Sequence, residues 1–392
     1  FSEYAAKDRL KTISNFSGSA GLAVILNKNN YLFVDGRYTI QAKQQSGKNF
    51  KIIEIHKYLP KLVIRNLTLG FDPNLFTTKQ LHIYFGSSLN LLSINKNLID
   101  EVYNEKIPKT KPFFSLNNKV TGEDFKSKVN KISKILRLNK ADYLFVSAPE
   151  NVAWLLNIRG NDNPTSPIPN CRLIIGKNNK IFLIVKKEKV VKIIKEKKLN
   201  KVQIIDPTKF ENLISMLKGN KFIIDHQSCS IFNEKIINSK FTIINKNDPC
   251  YELKSIKNSS EIKHMIKAHL DDGLALTKFI FWIKNINKNK ITEIQAQNKL
   301  EKFRKLNKNY LFPSFNTIAG SGPNGAIVHY RATKKSNKII KKNDIFLCDS
   351  GGQYKYGTTD VTRTICFSKQ KKSIKNIFTK VLKGHIAVAL TN

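Results

Sequence analysis

Arginine is scarce in this chain. Only 9 of its 68 basic residues are Arg and the other 59 are Lys, against 29 Asp and Glu, for a formal net charge of +39. A charge of that size invites a nucleic-acid reading. Arg, however, is the side chain that reads phosphates and base edges bidentately. Here Lys is spread together with Asn and Ile through turns, helices and strand flanks alike, as a chain-wide composition and not as a basic face. Specific nucleic-acid binding is therefore not expected. Cysteine is also sparse: Cys171, Cys229, Cys250, Cys348 and Cys366 are odd in number and form no CxxC pair. That excludes a disulfide framework and suits a reducing, cytoplasmic setting. Long apolar runs are missing as well. The stretch GLALTKFIFWI is interrupted by Lys278 and too short to span a bilayer, so no membrane partner is expected.

What is present is a globular composition, 41% apolar and 10% aromatic, over 392 residues, enough for two or three cores. A repeat stands out. Residues 13–45 read ISNFSGSAGLAVILNKNNYLFVDGRYTIQAKQQ, and residues 155–195 follow the same plan around RLIIG, a KNN turn and IFLIV. Each copy has a Gly-containing polar loop, two β-favouring runs about an Asn-rich turn, and a helix-like tail. Ahead of the second copy stand DYLFV, 142–146, and the amphipathic ENVAWLLN. Two tandem α/β domains are predicted, 1–116 and 117–247, with IPKTKPFF, 107–114, as the linker.

A third domain, 248–392, is predicted as α+β. Asn258-Ser-Ser-Glu261 and Thr292-Glu-Ile-Gln295 have capping-box spacing. Ile262, Ile266, His269 or Leu270, Gly273, Thr277 and Ile280 recur at three and four along a long amphipathic helix, and a second helix ends near Leu306. The strands SFNTIAG, AIVHY, IFLCD and TRTICF then follow between Gly-rich turns.

Chemistry concentrates in IFLCDSGGQYKYGTTDVTRTICF, 345–367. A hairpin closing between Asp349 and Asp360 brings two carboxylates to one point from adjacent strands. Hard divalent cations take several oxygen ligands, and paired cations are bridged by shared oxygens. The competing reading is plain turn chemistry, since Asp is common in Gly/Ser/Thr turns. His329, placed at the end of the AIVHY strand, is expected to face the same cleft. His385 reads as a satisfied structural histidine on an apolar helix, and His264 and His269 have no acidic ligand set nearby. Cys348 alternates to the face opposite Asp349 and reads as core. Arg363 is expected to brace the hairpin by pairing with a carboxylate.

These segments resemble aminopeptidase P, Xaa-Pro aminopeptidase, in its long three-domain form. The resemblance rests on SEYAAKDR at 2–9, FSGSAG at 16–21, VDGRYTIQAKQ at 34–44, APENVAWLLNIRG at 148–160, GSGPNGAIVHY, LCDSGGQYKYGTTDVTRT and VLKGHIAVAL, in the family's order. It implies two creatinase-like α/β domains and a pita-bread metallopeptidase domain that hydrolyses the N-terminal Xaa-Pro bond. It also implies two divalent metal ions, usually Mn2+, with Asp349 and Asp360 as the first two metal ligands. His329 would be a catalytic and substrate-binding residue, Arg37 would bind substrate, and the enzyme would be a homodimer acting on peptides with Pro at position 2. On its own, Arg37 reads as a surface ion pair. The family's further ligands, one His and two Glu, do not occur before Asn392, and the chain starts at Phe1. The expectation is a fragment shortened at both ends, in which the third domain is inactive. The alternatives are a prolidase-like dipeptidase and a non-catalytic peptide- or protein-binding homologue.

Overall fold

The computed structural model describes residues 7–87, 89–103, 111–199, 202–286 and 291–391. Residues 2–6 of SEYAAKDR and 107–110 of the expected linker lie outside the described residues. The chain forms two compact units, Phe1–Ser260 and Glu261–Asn392.

The first unit opens with helix α1 (Arg9–Ser14), whose Asp8 side chain caps it by accepting from the Lys11 N–H. Strands β1 (Gly21–Ile25) and β2 (Asn30–Val34) form the expected antiparallel hairpin around the Asn-rich turn. Helix α2 (Thr39–Ser46) then returns the chain to β3 (Lys51–Glu54), which pairs parallel with β2. After α3 (Pro60–Val63) come β4 (Thr68–Phe71), α4 (Thr78–Phe85), β5 (Asn90–Ser93) and α5 (Leu98–Val102). Strands β4 and β5 pair parallel with each other only, so this half holds a three-stranded and a separate two-stranded sheet.

The second half repeats the plan. A short β6 (Phe114–Ser115), α6 (Asn118–Thr121) and α7 (Phe125–Leu138) lead to β7 (Tyr143–Val146). Helix α8 (Pro149–Leu156) is followed by β8 (Ile158–Arg159), then by the hairpin β9 (Arg172–Gly176) and β10 (Ile181–Ile184). Asn179 in the turn takes a left-handed φ of 63°, a conformation Asn tolerates better than most residues. Helix α9 (Lys187–Lys195), β11 (Val202–Ile205), α10 (Phe210–Met216), β12 (Lys221–Ile224), α11 (Ile231–Asn238), β13 (Thr242–Asn245) and α12 (Pro249–Ser255) complete the unit. Six strands join in the order β11-β10-β9-β7-β12-β13. Both faces are covered. Leu144, Val146, Leu173 and Ile175 meet Ile132 and Leu136 of α7 on one side. Phe145, Ile174, Phe222 and Ile224 meet Phe210 and Ile237 on the other. Strands buried on both faces read as unbroken apolar runs, which is why DYLFV and RLIIG do not alternate with polar residues.

The second unit begins on α13 (Ser259–Asn285), followed by α14 (Glu293–Lys305) with the expected capping box: Thr292 accepts from the Gln295 N–H and Gln295 accepts from the Thr292 N–H. The buried stripe of α13 is Ala268, Asp272, Ala275, Leu276, Phe279 and Ile283, whereas Ile262, Ile266 and Leu270 are exposed. The periodic large apolar residues thus mark the wrong face. Small residues and a paired aspartate fit the tight interior instead.

Strands β14 (Tyr310–Pro313), β15 (Ile318–Ser321), β16 (Ile345–Ser350), β17 (Gly352–Tyr354), β18 (Gly357–Thr358) and β19 (Val361–Cys366) form two sheets, β14-β17-β18 and β15-β16-β19. AIVHY is not a strand: residues 322–326 form a 3-10 turn and 327–330 an irregular turn. Pro323 has no N–H for a ladder, and Gly322 at φ 57° turns the chain away. The last helix, α15 (Lys372–Ala389), buries none of its residues.

Candidate metal centre

Antiparallel pairing of β16 with β19 sets Asp349 opposite Thr362, and Asp360 stands one residue before β19. The connection is not a simple hairpin, because residues 352–358 fold off as β17 and β18 in the other sheet. Gly351 makes this departure possible. A Cβ there would lie 2.0 Å from the Thr359 carbonyl oxygen and 2.1 Å from Ser314 Oγ. The close approach is used: Ser314 Oγ donates to the Thr359 carbonyl at 2.8 Å, and the Gly352 N–H donates to Thr359 Oγ1 at 2.9 Å. Thus the two aspartates come together through a pinched loop.

Their electrostatics are those of two anions held near each other. Loss of hydration, and then the Asp349 charge, push the Asp360 carboxyl above the usual carboxylate range. Asp349 Oδ1 is buried and has no hydrogen-bond partner. An orphaned carboxylate oxygen beside a second carboxylate is costly unless a cation neutralises both. Oxygen donors of this kind fit a hard divalent ion. Among the described residues no group of three or more His, Cys, Asp or Glu is placed to hold a metal, so the pair is a partial donor set.

Below the pair lies a buried ion pair that spacing alone does not reveal. Arg304 Nε donates to Asp272 Oδ1 at 2.7 Å and Nη2 to Oδ2 at 3.1 Å; Nη2 also donates to Ser350 Oγ at 3.1 Å. Tyr354 donates to the same Asp272 at 2.9 Å. The network fixes Ser350, the residue after Asp349, against α13 and α14. The one available signal was an aspartate breaking the apolar stripe of α13 together with an arginine on α14.

His329 sits in the turn after the 3-10 segment with φ 55° and is exposed. A left-handed non-glycine residue is uncommon and needs its neighbours to hold it. Here Glu293, fully buried at the start of α14, does so. Its carboxylate accepts from Ser321 N–H at 2.8 Å, Asn324 Nδ2 at 3.0 Å, Tyr330 Oη at 2.9 Å and Lys338 N–H at 3.0 Å. Four donors from one loop converge on one carboxylate. Turn and anchor together explain why AIVHY, although rich in β-branched residues, leaves the ladder.

Arg37 lies in the first unit, in the 3-10 turn Gly36–Tyr38, and is paired with Asp35 through Nε at 2.8 Å and Nη2 at 3.3 Å. Hydrogen bonds from the Arg37 side chain and backbone hold the Asp35 carboxyl well below the usual carboxylate range. Half of the Arg37 side chain stays exposed, so its remaining donors face outward.

Other expectations divide. Cys348 is buried in the core, and Cys366 alone of the five thiols is exposed. Arg363 does not brace a carboxylate. It is exposed, as are its neighbours Thr362 and Thr364 on β19, and donates to the Thr362 carbonyl. His385 is exposed with the rest of α15 and is not a buried structural histidine. His269 Nδ1–H donates to the Met265 carbonyl within its own helix at 2.9 Å, and His264 packs on Tyr356 with ring centroids 5.6 Å apart. Neither joins the aspartates in a ligand group. No described helix is long and apolar enough to cross a membrane.

Three family models match in tandem: the Creatinase/Prolidase N-terminal domain over residues 6–91 and again, in a second form, over 104–261, then metallopeptidase family M24 over 263–391. A protein of Laccaria bicolor named "Probable Xaa-Pro aminopeptidase P" is 34% identical over 99% of this chain. An Xaa-Pro aminopeptidase of Drosophila melanogaster is 33% identical over 100% of it. The chain spans 64% and 67% of the lengths of these two relatives. Among solved structures, X-prolyl aminopeptidase from Caenorhabditis elegans, described as a cytosolic enzyme with a di-nuclear active site, superposes with a TM-score of 0.83 at 27% identity, covering 95% of this chain and 64% of that one. With two creatinase-type domains ahead of an M24 domain, and Asp349 on β16 paired with Asp360 just before β19, the chain belongs to the Xaa-Pro aminopeptidase P family of metallopeptidases.

Proposed function

We propose that the protein is a metal-dependent aminopeptidase that removes the N-terminal residue from peptides with Pro at position 2. The observation that carries this reading is the Asp349–Asp360 pair, with the Asp349 Oδ1 atom buried and unpartnered. Asp349 and Asp360 are the residues of this chain that would hold two divalent ions, with Mn2+ as the proposed metal. Such ions, when bound, act as Lewis acids that make hydroxide available from water near neutral pH. The names of the relatives supply the substrate class, and the description of the nematode enzyme supports a dinuclear centre and a cytosolic location. A homodimer is proposed as the working assembly, and the domain limits 1–116, 117–247 and 248–392 as its divisions.

The chain's own residues have distinct tasks in this proposal. The Arg304–Asp272–Ser350 network keeps the Asp349 strand from relaxing away from Asp360. His329, held at its left-handed turn by the Glu293 anchor, offers an imidazole N–H to the substrate carbonyl as charge develops on its oxygen. Arg37, aligned by Asp35, offers its outward donors to the peptide. An Xaa-Pro bond suits a dedicated site, because Pro has no N–H and a fixed φ and so fits poorly where a peptide must pair as a strand.

The test is Asp360→Asn in the complete protein. Cleavage of a Pro-second peptide should fall by at least about 10³-fold, a loss of the size seen when a principal electrostatic contributor is removed, and bound metal should drop. Wild-type turnover with metal content unchanged would refute the assignment. In parallel, Arg37→Ala should weaken peptide cleavage and leave metal content alone.

A further inference from the structure

Arg304 and Arg172 are both drawn into the interior, but only Arg304 meets a carboxylate there. The Nε of Arg172, at the start of β9, is buried without a hydrogen-bond partner. Among the described residues no acid forms an ion pair with its guanidinium. Loss of hydration lowers its pKa, and the groups that favour its cation are the Cys171 and Cys229 thiols, not a carboxylate. Burial raises both thiol pKa values and keeps them protonated at neutral pH, so neither supplies a counter-charge. A cation placed like this is costly unless an anion joins it. The residue keeps part of its surface open, so an anion can reach it from solvent.

The sheet places this arginine where ligands are commonly held. Strands β11, β10, β7, β12 and β13 run parallel, and only β9 opposes them. Arg172 therefore stands at the carboxyl ends of its neighbours, the edge at which open α/β sheets bind ligands. Val146 pairs with Leu173, so the next pair in register is Ser147 with Arg172. Strand alternation puts both on the face of Phe145 and Ile174, over the core that includes Cys229. Ser147 is buried and shares a hydroxyl–hydroxyl hydrogen bond of 2.7 Å with Ser228, the residue before Cys229. Such a pair uses one of its two hydroxyl hydrogens and leaves the other free to donate. The nearby carboxylates are already engaged. Glu234 accepts from Thr78 at 2.5 Å and lies 3.2 Å from His226 Nε2. Asp225 accepts from the Gln227 N–H at 2.8 Å and the Asp248 N–H at 3.1 Å.

We propose that Arg172, with the Ser147–Ser228 hydroxyl pair, forms a binding site for a small oxyanion, the carboxylate or phosphoryl group of a soluble ligand. The planar guanidinium matches two oxygens of either group, and the spare hydroxyl hydrogen donates to one of them. The bound anion supplies the charge that Arg172 lacks within the chain. Neither the metal centre nor Arg37 takes part.

The test uses the whole 392-residue chain with isotope-labelled arginine, whose 9 Nε–H signals are followed by NMR. The signal missing in Arg172→Lys, or in Arg172→Met should the lysine variant not fold, identifies Arg172. Inorganic phosphate and acetate are titrated separately at constant ionic strength. The Arg172 signal should move saturably, half-complete below about 10 mM. In Ser147→Ala the half-saturation concentration should rise about tenfold, the loss of one hydrogen bond to a charged group. Saturation by phosphate alone supports the site with phosphoryl ligands as its source, and saturation by acetate alone supports it with carboxylates. No saturable movement with either ion would overturn the proposal. Equal movement at every arginine would overturn it too, as general screening at a lysine-rich surface. So would an affinity unchanged in folded Ser147→Ala.

Discussion

The first half of Phe1–Ser260 and the second half share a strand plan, yet among the described residues only the second forms one continuous sheet. One strand makes the difference. β7 gives β9 and β12 partners on their inner edges and places Leu144, Phe145 and Val146 at the centre of two cores. Among the described residues β7 has no counterpart in the first half, and apolar side chains of β1 and β4 line a cavity. Packing density, more than hydrophobic composition, separates the halves, since LAVI and LIIG differ little as sequences. A buried methyl group stabilises only where other atoms touch it.

The largest effect expected from this contrast is at matched leucines. Leu173 of β9 is fully buried, and Leu22, its counterpart in β1, is only partly covered and borders the cavity. Leu173→Ala should cost about 2–5 kcal/mol, the range for a leucine truncated in a closed core. Leu22→Ala should cost less than about 1.5 kcal/mol, because part of its surface is already outside close packing. Urea unfolding of the two variants measures both. Equal losses would mean that the first half is as closed as the second.

The contrast also shows what the sequence could and could not disclose. Both hairpins were legible because Asn-rich turns between apolar runs are local signals, and so was the capping box at Thr292. Asp349 and Asp360 were legible as a pair because they flank one Gly-rich turn. Other features depend on partners distant in sequence. AIVHY has strand composition, but Glu293 captures the donors of its loop and holds it as a turn. Asp272 looks like a solvated helix residue until Arg304 closes on it. The exposed stripe of Ile262, Ile266 and Leu270 had the better periodicity, and the stripe of Ala268, Ala275 and Phe279 had the better fit. Periodicity counts apolar residues, whereas packing selects shapes.

A second way to sharpen the comparison uses the native thiols. Cys171, Cys229 and Cys250 all lie in the second half, buried, and burial raises all three thiol pKa values. Thiolate is the reactive form, so burial and suppressed ionisation both protect them. A charged thiol reagent should label Cys366 at once and leave these three untouched in native buffer, with labelling appearing only as urea unfolds the unit. Leu173→Ala should advance their labelling to lower urea, and Leu22→Ala should hardly move it. Rapid native labelling of Cys171 would show that the six-stranded sheet opens as readily as the divided one.

The smallest effect concerns how the first half holds its helices at the border of the cavity. Arg9 of α1 binds Asp100 of α5 through Nε at 3.0 Å and Nη2 at 2.7 Å, and Lys7 approaches the same carboxylate at 3.3 Å. The Arg9 hydrogen bonds, chiefly, lower the Asp100 pKa. A carboxyl whose folded pKa lies below its unfolded value adds stability above the unfolded value, and loses that contribution as pH falls through the folded one. The pair is only partly buried and reachable by solvent, so Asp100→Asn should cost about 1 kcal/mol at pH 7. The cost should shrink below pH 4 and disappear once the native carboxyl is protonated. Thermal unfolding of the variant and the parent at pH 7, 5 and 3 makes the comparison. This clamp ties α1 to α5 beside the β4-β5 pair, so its loss should also speed amide exchange in β4 more than in β12. A cost that stays constant from pH 7 to pH 3 would show that Asp100 acts through packing and not through its charge.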